Sequence, residues 1–255
     1  MKPTLNVLQA VDVAYARYNA RKTFSDARAS QFVSQQVGPF VMTQDATRSD
    51  SYYNRILGVT RYNIGRLPQA ISQFSPLPHS LRVDVVAAEA PVVEEQLHQL
   101  EFQQSETVLW LWAHPTERPL SVAVQLLLPD QIDRLRPLFE TKRPLDNSLW
   151  DARKRYLSTA ELQTFVIEAD GLLVAMASIF LRGETAVLGN AFTLPAYRGR
   201  GYQQALLQAR LNDVYQRQIN LAWVDVEADT SSDRNCRRIG FKPFVEIEAW
   251  EFQSA

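Results

Sequence analysis

Residues 189–207, GNAFTLPAYRGRGYQQALL, decide the fold, because a strand, a glycine-rich turn and a helix meet within them. The apolar run from Thr185 to Leu194 is typical of a short strand, and Pro195 ends it because proline cannot donate to a ladder. Apolar residues then recur at helical spacing between Leu207 and Ile219. This spacing predicts an amphipathic helix that begins near Gly201.

The turn itself, residues 198–201, contains two glycines and two arginines. The N–H groups of a first helical turn have no helical partner, the helix dipole adds partial positive charge, and glycine lets a ligand approach the backbone. We therefore predict an anion site. No lysine follows the glycines as in a P-loop, and the third glycine of a dinucleotide fingerprint is missing. A solvated turn without a ligand is the remaining alternative.

The turn resembles the pyrophosphate loop of the GCN5-related N-acetyltransferases, the GNAT family, whose motif is Gln/Arg-x-x-Gly-x-Gly/Ala. Arg198 fills the first position and Gly201 the second. Gln203 stands at the last position, a departure that leaves backbone contact possible but crowds the loop. The family's order of elements also follows downstream: a strand over 221–227, a capped helix closed by Gly240, and a last hairpin predicted over 243–252.

This resemblance implies an α/β fold with a mixed, mostly antiparallel sheet flanked by helices, and acetyl-CoA (coenzyme A) as co-substrate without a metal. Backbone groups of residues 191–193 would bind pantetheine, those of 199–204 the pyrophosphate, and Asn235 the coenzyme. A capping or merely exposed role is the alternative for Asn235. The implied cofactor-binding residues are Ala191, Phe192, Thr193, Arg198, Gly199, Arg200, Gly201, Tyr202, Gln203, Gln204 and Asn235.

The composition limits the classes of partner that we expect the protein to bind. The formal net charge is −1 over 255 residues, which gives no support to nucleic-acid or membrane-surface binding as the main function. Between residues 196 and 242, eight Lys and Arg face five acids, an excess that suits a polyphosphorylated ligand better than a nucleic acid. The one cysteine, Cys236, excludes an intramolecular disulfide and a cysteine-built metal site.

The N-terminal residues lack the apolar core of a signal peptide, and no apolar run approaches the length of a membrane span. We therefore expect a cytoplasmic protein with no membrane partner. Its oligomeric state does not follow from the sequence.

Periodicity and turn residues predict the remaining elements. An Asp170-Gly171 turn predicts a hairpin between two of the strands. Helices are predicted at 8–22, 25–36, 66–74, from 91, at 130–142 and at 149–156, and strands at 40–42, 52–60, 81–87, 107–112, 121–128, 164–169 and 172–181.

The order of elements suggests a duplication. In each half a strand leads to a helix that ends just before a phenylalanine, Phe102 or Phe241, and a tryptophan-bearing strand follows. We therefore expect an N-terminal acetyltransferase-like domain without a cofactor loop at 1–118 and a cofactor-binding GNAT domain at 119–255. An unrelated helical N-terminal domain is the alternative.

The reaction that the resemblance implies is attack of an amine on the thioester, which needs a base for the amine and an acid for the thiolate. Many family members place a tyrosine four residues before the glycine of Gly-Phe, whereas this chain has Cys236 there. We interpret Cys236 as a packing residue, with a thiol acid as the alternative. Asp225 and Glu227 are candidate bases or solvated acids. No catalytic residue is assigned; the histidines, His79, His98 and His114, lack a partner at metal-ligand spacing.

The predicted function is N-acyl transfer from acetyl-CoA to the amine of a small molecule or peptide. Tyr52, Tyr53 and Trp150 are candidates to line the acceptor pocket, although aromatic residues at such positions usually belong to a core. A non-catalytic acyl-CoA sensor is the alternative from another class, because the family's tyrosine is missing. A nucleotide-binding regulator is disfavoured because neither Lys nor a magnesium-binding Ser/Thr follows the glycines.

Overall fold

The computed structural model describes residues 2–74, 80–141 and 143–253. The helices are α1 (Leu5–Lys22), α2 (Leu67–Ile71), α3 (Ala90–Gln99), α4 (Arg136–Phe139), α5 (Asn147–Arg153), α6 (Tyr202–Gln216) and α7 (Ser231–Ile239). The strands are β1 (Val33–Val37), β2 (Phe40–Gln44), β3 (Arg55–Val59), β4 (Arg82–Val86), β5 (Phe102–Ala113), β6 (Gln125–Leu126), β7 (Leu162–Ala169), β8 (Leu172–Arg182), β9 (Thr185–Thr193), β10 (Leu221–Glu227) and β11 (Lys242–Phe252).

These strands form one sheet in the order β1-β2-β3-β4-β11-β5-β10-β9-β8-β7-β6. Most neighbours are antiparallel, and β3–β4 and β9–β10 are parallel. The predicted fold class, a mixed and mostly antiparallel sheet flanked by helices, is confirmed. Among the helices in the described ranges, none is long and apolar enough to cross a membrane.

The two halves of the chain exchange their last strands. β5 pairs with β10 of the second half, and β11 pairs with β4 of the first. The exchanged strands also pair with each other, from Phe102↔Phe252 to Trp112↔Lys242. The predicted boundary near residue 118 falls in the connection 114–124 between β5 and β6. Each half therefore completes its part of the sheet with a strand of the other.

Side chains alternate between the two faces of the sheet. On β10, Val224 and Val226 pack in one core with α6 and α7, whereas Trp223 packs in another with α1. A third core joins the 3-10 turn Pro129–Leu135, α4 and α5 to β7 and β8, and a fourth packs α2 and α3 on β3 and β4. Helices α1, α4 and α5 thus cover the face opposite α6 and α7.

Helix 25–36 was wrongly predicted: its first part is irregular and its end is β1. The buried Asp45 carboxylate accepts from Ser30 Oγ at 2.6 Å and from the Gln31 backbone N–H at 3.2 Å, which holds the segment extended. Gly38, at φ +56°, then turns β1 back onto β2.

The last hairpin was also wrongly predicted, because β11 is one continuous strand over 242–252. It lies between β4 and β5, so both of its edges already have partners. Pro243 stands at a register shift, where a missing N–H costs least.

Other predicted elements are shorter or broken. The strand predicted at 121–128 is reduced to β6, and the strand predicted at 52–60 starts with a 3-10 turn at Ser51–Tyr53. The helix predicted at 130–142 divides into a 3-10 turn and α4, with Pro137 in the first turn of α4. The predicted helix 66–74 is reduced to α2, and its predicted end at 75–78 lies outside the described residues.

Candidate functional site

Strands β9 and β10 part and leave a cleft between them. Their parallel ladder has three pairs, from Leu221↔Thr185 to Trp223↔Val187, although both strands continue beyond it. From Leu188 to Thr193, the edge of β9 that faces the cleft is therefore released from β10. Such a free edge can accept an extended ligand as an added strand.

A bulge in β9 lies where the strands part. The ladder to β8 steps from Met176↔Phe192 to Ser178↔Gly189, so Asn190 and Ala191 together face Ala177. Asn190 adopts φ +52°, in the left-handed region that an asparagine tolerates. The bulge redirects the backbone at the inner end of the cleft.

Buried polar side chains hold the bulge from both faces of the sheet. From α6, Arg210 Nη1 donates to the carbonyls of Ser178 at 3.0 Å and Gly189 at 3.4 Å, and burial lowers the pKa of Arg210 to about 10. From α1, Lys22 Nζ donates to Asn190 Oδ1 at 3.2 Å, while Asn190 Nδ2 donates to Tyr15 Oη at 2.9 Å. The Asn190 carboxamide is thus fixed in orientation.

The outer end of the cleft is the turn before α6. Gly199 and Gly201 adopt φ +76° and +78°, which glycine alone adopts without strain, and a Cβ added at either would meet no atom within 4 Å. Gly201 is the N-cap of α6 and supplies no side chain to the first-turn N–H groups. These groups and the helix dipole are therefore free to act on an anion.

The cleft has a volume of about 600 Å³. Gln204 Nε2 donates to Asn235 Oδ1 at 3.1 Å and so connects α6 to α7 across it. The lining residues are Ala191, Phe192, Thr193, Tyr197, Arg198, Gly199, Gly201, Tyr202, Gln203, Gln204, Ser231, Ser232, Asn235 and Arg238. All the predicted cofactor residues except Arg200 are among them. The Arg200 guanidinium instead lies over the Tyr197 ring, 4.8 Å from its centroid.

A second cavity, of about 480 Å³, lies beside the exchanged strands and is strongly acidic. Asp225 and Glu227 are in its lining, with Asp12 and Tyr52. Solvent reaches Asp225, yet the surrounding protein and the neighbouring Asp12 carboxylate raise its pKa. This acidic cavity has no lining residue in common with the cleft between β9 and β10.

A third cavity, of about 430 Å³, lies between β8–β9, the end of α1 and the α4–α5 region. It shares Ala191 and Phe192 with the cleft between β9 and β10 and includes Asn190 and Lys22. Lys22 was not among the candidate residues predicted from the sequence. Its position four residues after Tyr18 puts it on the apolar stripe of α1, and a lysine on such a stripe was the available signal.

The other candidate residues lie apart from the cleft between β9 and β10. Cys236 is 2% exposed in the core beneath α7, and burial raises its pKa to about 11. His98 is exposed on α3, and His114 contacts the Asn220 carbonyl at 3.1 Å. His79 lies outside the described residues. Within those residues, no group of three or more His, Cys, Asp or Glu is arranged to hold a metal.

The candidate aromatic residues divide between cavity and core. Tyr52 lines the acidic cavity, whereas Tyr53 and Trp150 are buried. The Trp150 ring stacks on Phe24, which lines the third cavity, at 5.4 Å between centroids. Trp150 therefore supports a cavity wall from behind.

Part of the chain matches a known protein family. Residues 129–241 match the acetyltransferase (GNAT) family, while none of the curated protein sequences matches the chain significantly. A GCN5-related N-acetyltransferase from Kribbella flavida has a TM-score of 0.61 at 14% identity, with 96% of both chains covered. One from Sphaerobacter thermophilus has a TM-score of 0.61 at 15% identity, covering 98% of this chain and 93% of its own.

A tandem GNAT protein from the clavulanic acid biosynthesis pathway has a TM-score of 0.58 at 14% identity, covering 95% of this chain and 94% of its own. At these identities the likeness concerns the fold, and it extends over nearly the whole chain. The chain therefore has the fold of GNAT proteins, and its residues 129–241 match the model of the acetyltransferase (GNAT) family.

Proposed function

We propose that this protein is an N-acyltransferase that takes an acetyl group from acetyl-CoA and transfers it to an amine. The observation that carries the proposal is the cleft between β9 and β10, which has a free strand edge at one end and an uncapped helix N-terminus at the other. An extended pantetheine needs the first feature, and a pyrophosphate needs the second.

The residues present fit such a co-substrate. Arg198 and Arg238 add positive charge to the turn, and Gly199 and Gly201 leave its backbone open. Asn235 would bind the coenzyme from α7. Acetyl-CoA would supply the activated thioester, and this chain's own contribution is to hold it with the acyl end at the β9 bulge, beside Asn190.

We further propose that the chain comprises two acetyltransferase-like halves divided near residue 118, of which only the second binds the cofactor. The repeated order of parallel strand pair, helix and exchanged last strand supports this division.

Calorimetry with coenzyme A tests the site. Gly201→Val should weaken binding about 100-fold or more, because a branched side chain would stand where the pyrophosphate approaches the backbone. Gly183→Val is the matched control, since Gly183 is also left-handed, at φ +56°, has no atom within 4 Å of an added Cβ, and lies at the other end of β9. Equal affinity in the two folded variants would contradict the assignment.

The acyl-CoA sensor is the second candidate, supported by the burial of Cys236 at the place of the family's tyrosine. Release of free thiol from acetyl-CoA over a panel of amines separates the two functions. Tight coenzyme binding without turnover on any amine would favour the sensor.

A further inference from the structure

The third cavity is placed to receive the acceptor. It meets the cofactor cleft at Ala191 and Phe192, and Asn190 of the β9 bulge is in its lining. The acidic cavity shares no residue with the cleft. A molecule in the third cavity therefore lies next to the acyl end of the proposed co-substrate, a placement that rests on the proposed function.

The charges of this cavity are positive. Lys22 and Arg143 line it, and none of its described lining residues is acidic. Lys22 is only 9% exposed, and within the described residues its Nζ makes one hydrogen bond, to Asn190 Oδ1. Among the described residues no carboxylate lies within 4.0 Å of that Nζ. A buried ammonium without a counter-charge is costly, so the site favours an anionic group on its ligand.

The walls of the cavity are apolar and partly aromatic. Phe24 and Phe139 lie 5.0 Å apart between ring centroids, and Trp150 supports them from behind. The remaining apolar lining residues are Leu138, Leu145, Leu157, Met176, Ala191 and Phe192. A volume of about 430 Å³ suits a small molecule with one apolar side group.

We propose that the acceptor is an amino acid with an aromatic or aliphatic side chain, whose carboxylate pairs with Lys22. The apolar side group packs against Phe24 and Phe139. The free amine nitrogen bonds to the acyl carbon while the carbon–sulfur bond breaks. The sulfur leaves as the coenzyme A thiolate and takes up the proton that the nitrogen loses, so the products are an N-acetyl amino acid and coenzyme A. Polyamines and basic peptides are disfavoured by Lys22 and Arg143.

Two matched acceptors test the role of the carboxylate. L-Phenylalanine and 2-phenylethylamine differ by that group alone, and we expect kcat/KM to be about 10- to 100-fold higher for L-phenylalanine, the range of one charge-assisted hydrogen bond. Lys22→Met should remove this preference, because it should lower kcat/KM for L-phenylalanine by about 10- to 100-fold more than it lowers kcat/KM for 2-phenylethylamine. Lys22→Arg should restore part of the preference, and the exposed Lys242→Met should change neither substrate.

Binding of products gives a readout that does not need turnover. N-Acetyl-L-phenylalanine should bind, and its affinity should fall as the pH rises through about 8, because burial lowers the pKa of Lys22 to about 8 and the ammonium is then lost. N-Acetyl-2-phenylethylamine should show no such dependence. The carboxylate of the ligand is ionised throughout this range.

Three results would overturn the proposal: a preference for 2-phenylethylamine or putrescine, an equal loss on both acceptors in Lys22→Met, or no binding of N-acetyl-L-phenylalanine and N-acetyl-L-leucine at millimolar concentration. Calorimetry with coenzyme A runs beside these assays. Loss of coenzyme binding would count against the proposed function, whereas intact coenzyme binding with any of the three results would count against the acceptor class alone.

Discussion

Two parallel strand pairs stand in corresponding places in the two halves, and only one of them opens. β3 and β4 are five residues each and share four pairs, from Arg55↔Arg82 to Val59↔Val85. β9 and β10 have nine and seven residues but share three pairs. The longer strands are thus the less paired ones. The cleft therefore depends on the parts of β9 and β10 that extend beyond their ladder, as well as on the turn between β9 and α6.

The two strand pairs also differ in the partners of their buried charged side chains. Arg55 of β3 donates to Asp12 of α1 at 2.7 Å and to Asp84 of β4 at 3.1 Å, and Tyr52 lies against its guanidinium. This buried network joins β3, β4 and α1. At β9, by contrast, Lys22 of α1 donates to a neutral asparagine, and no carboxylate of the described residues pairs with it. The buried Arg55 is thus paired within the protein, whereas the buried Lys22 is available to a ligand.

Cutting the chain after residue 118 tests whether the halves are independent. Because each half completes its sheet with the other's last strand, we expect neither 1–118 nor 119–255 alone to unfold cooperatively, while the mixed fragments should recover a cooperative transition. Thermal unfolding followed by circular dichroism measures this. A cooperative transition in the isolated 119–255 fragment would show that the halves fold separately.

Replacing Arg55 tests the charge network that joins β3 and β4. Arg55→Met should destabilise the protein by about 3–5 kcal/mol, because it leaves Asp12 and Asp84 buried without their cation. Arg61→Met, which removes the exposed pair with Glu89, should cost about 1 kcal/mol or less. Urea denaturation compares the two variants. Similar losses in both would mean that the network does not stabilise β3 and β4 in this way.

Adding one methyl group at β9, in the strand pair that opens, should have a smaller effect on stability. A Cβ at Gly189 would overlap Tyr15 Oη, so Gly189→Ala should cost about 1–3 kcal/mol through overpacking. Tyr15→Phe in the same chain should recover part of that loss. In the first half, Gly65→Ala is the control, because an added Cβ there meets no atom within 4 Å and the backbone is not left-handed. Chemical denaturation of the three variants checks the comparison.

Cys236 should give the smallest change. Because Cys236 packs in the core beneath α7, its replacement by alanine should lower the free energy of unfolding by about 1 kcal/mol or less. Turnover should be nearly unchanged. Its pKa of about 11 keeps the thiol protonated at neutral pH, so a role as general acid stays chemically possible. Steady-state turnover of Cys236→Ala decides between them. A fall of about 100-fold with normal coenzyme affinity would identify an acid.

Local patterns predicted the parts of this fold that local physics determines. The Asp170-Gly171 hairpin and the strand–turn–helix around Gly201 follow from proline, glycine and periodicity, and the structure has both. Helix 25–36 was wrong because the buried Asp45 carboxylate, distant in sequence, holds the segment extended. The Lys22–Asn190 contact joins residues 168 positions apart, and nothing near either residue specifies the other.

The strand exchange could not be predicted for a related reason. β4 and β10 both present an antiparallel edge to a following strand, and alternation within β5 or β11 does not distinguish the two edges. The choice of partner depends on packing over the whole sheet. The sequence therefore predicted the order of the elements better than it predicted which strands are neighbours in the sheet.

The strand exchange also makes the stability of the sheet depend on the covalent link between the two halves. The central order β4-β11-β5-β10 is one that two separate chains would form by trading their last strands. Residues 114–124 convert that bimolecular association into an intramolecular one, at an effective concentration in the millimolar range typical of short linkers. Deletion of the first half would remove the strand that completes β10 and make the remaining sheet depend on protein concentration.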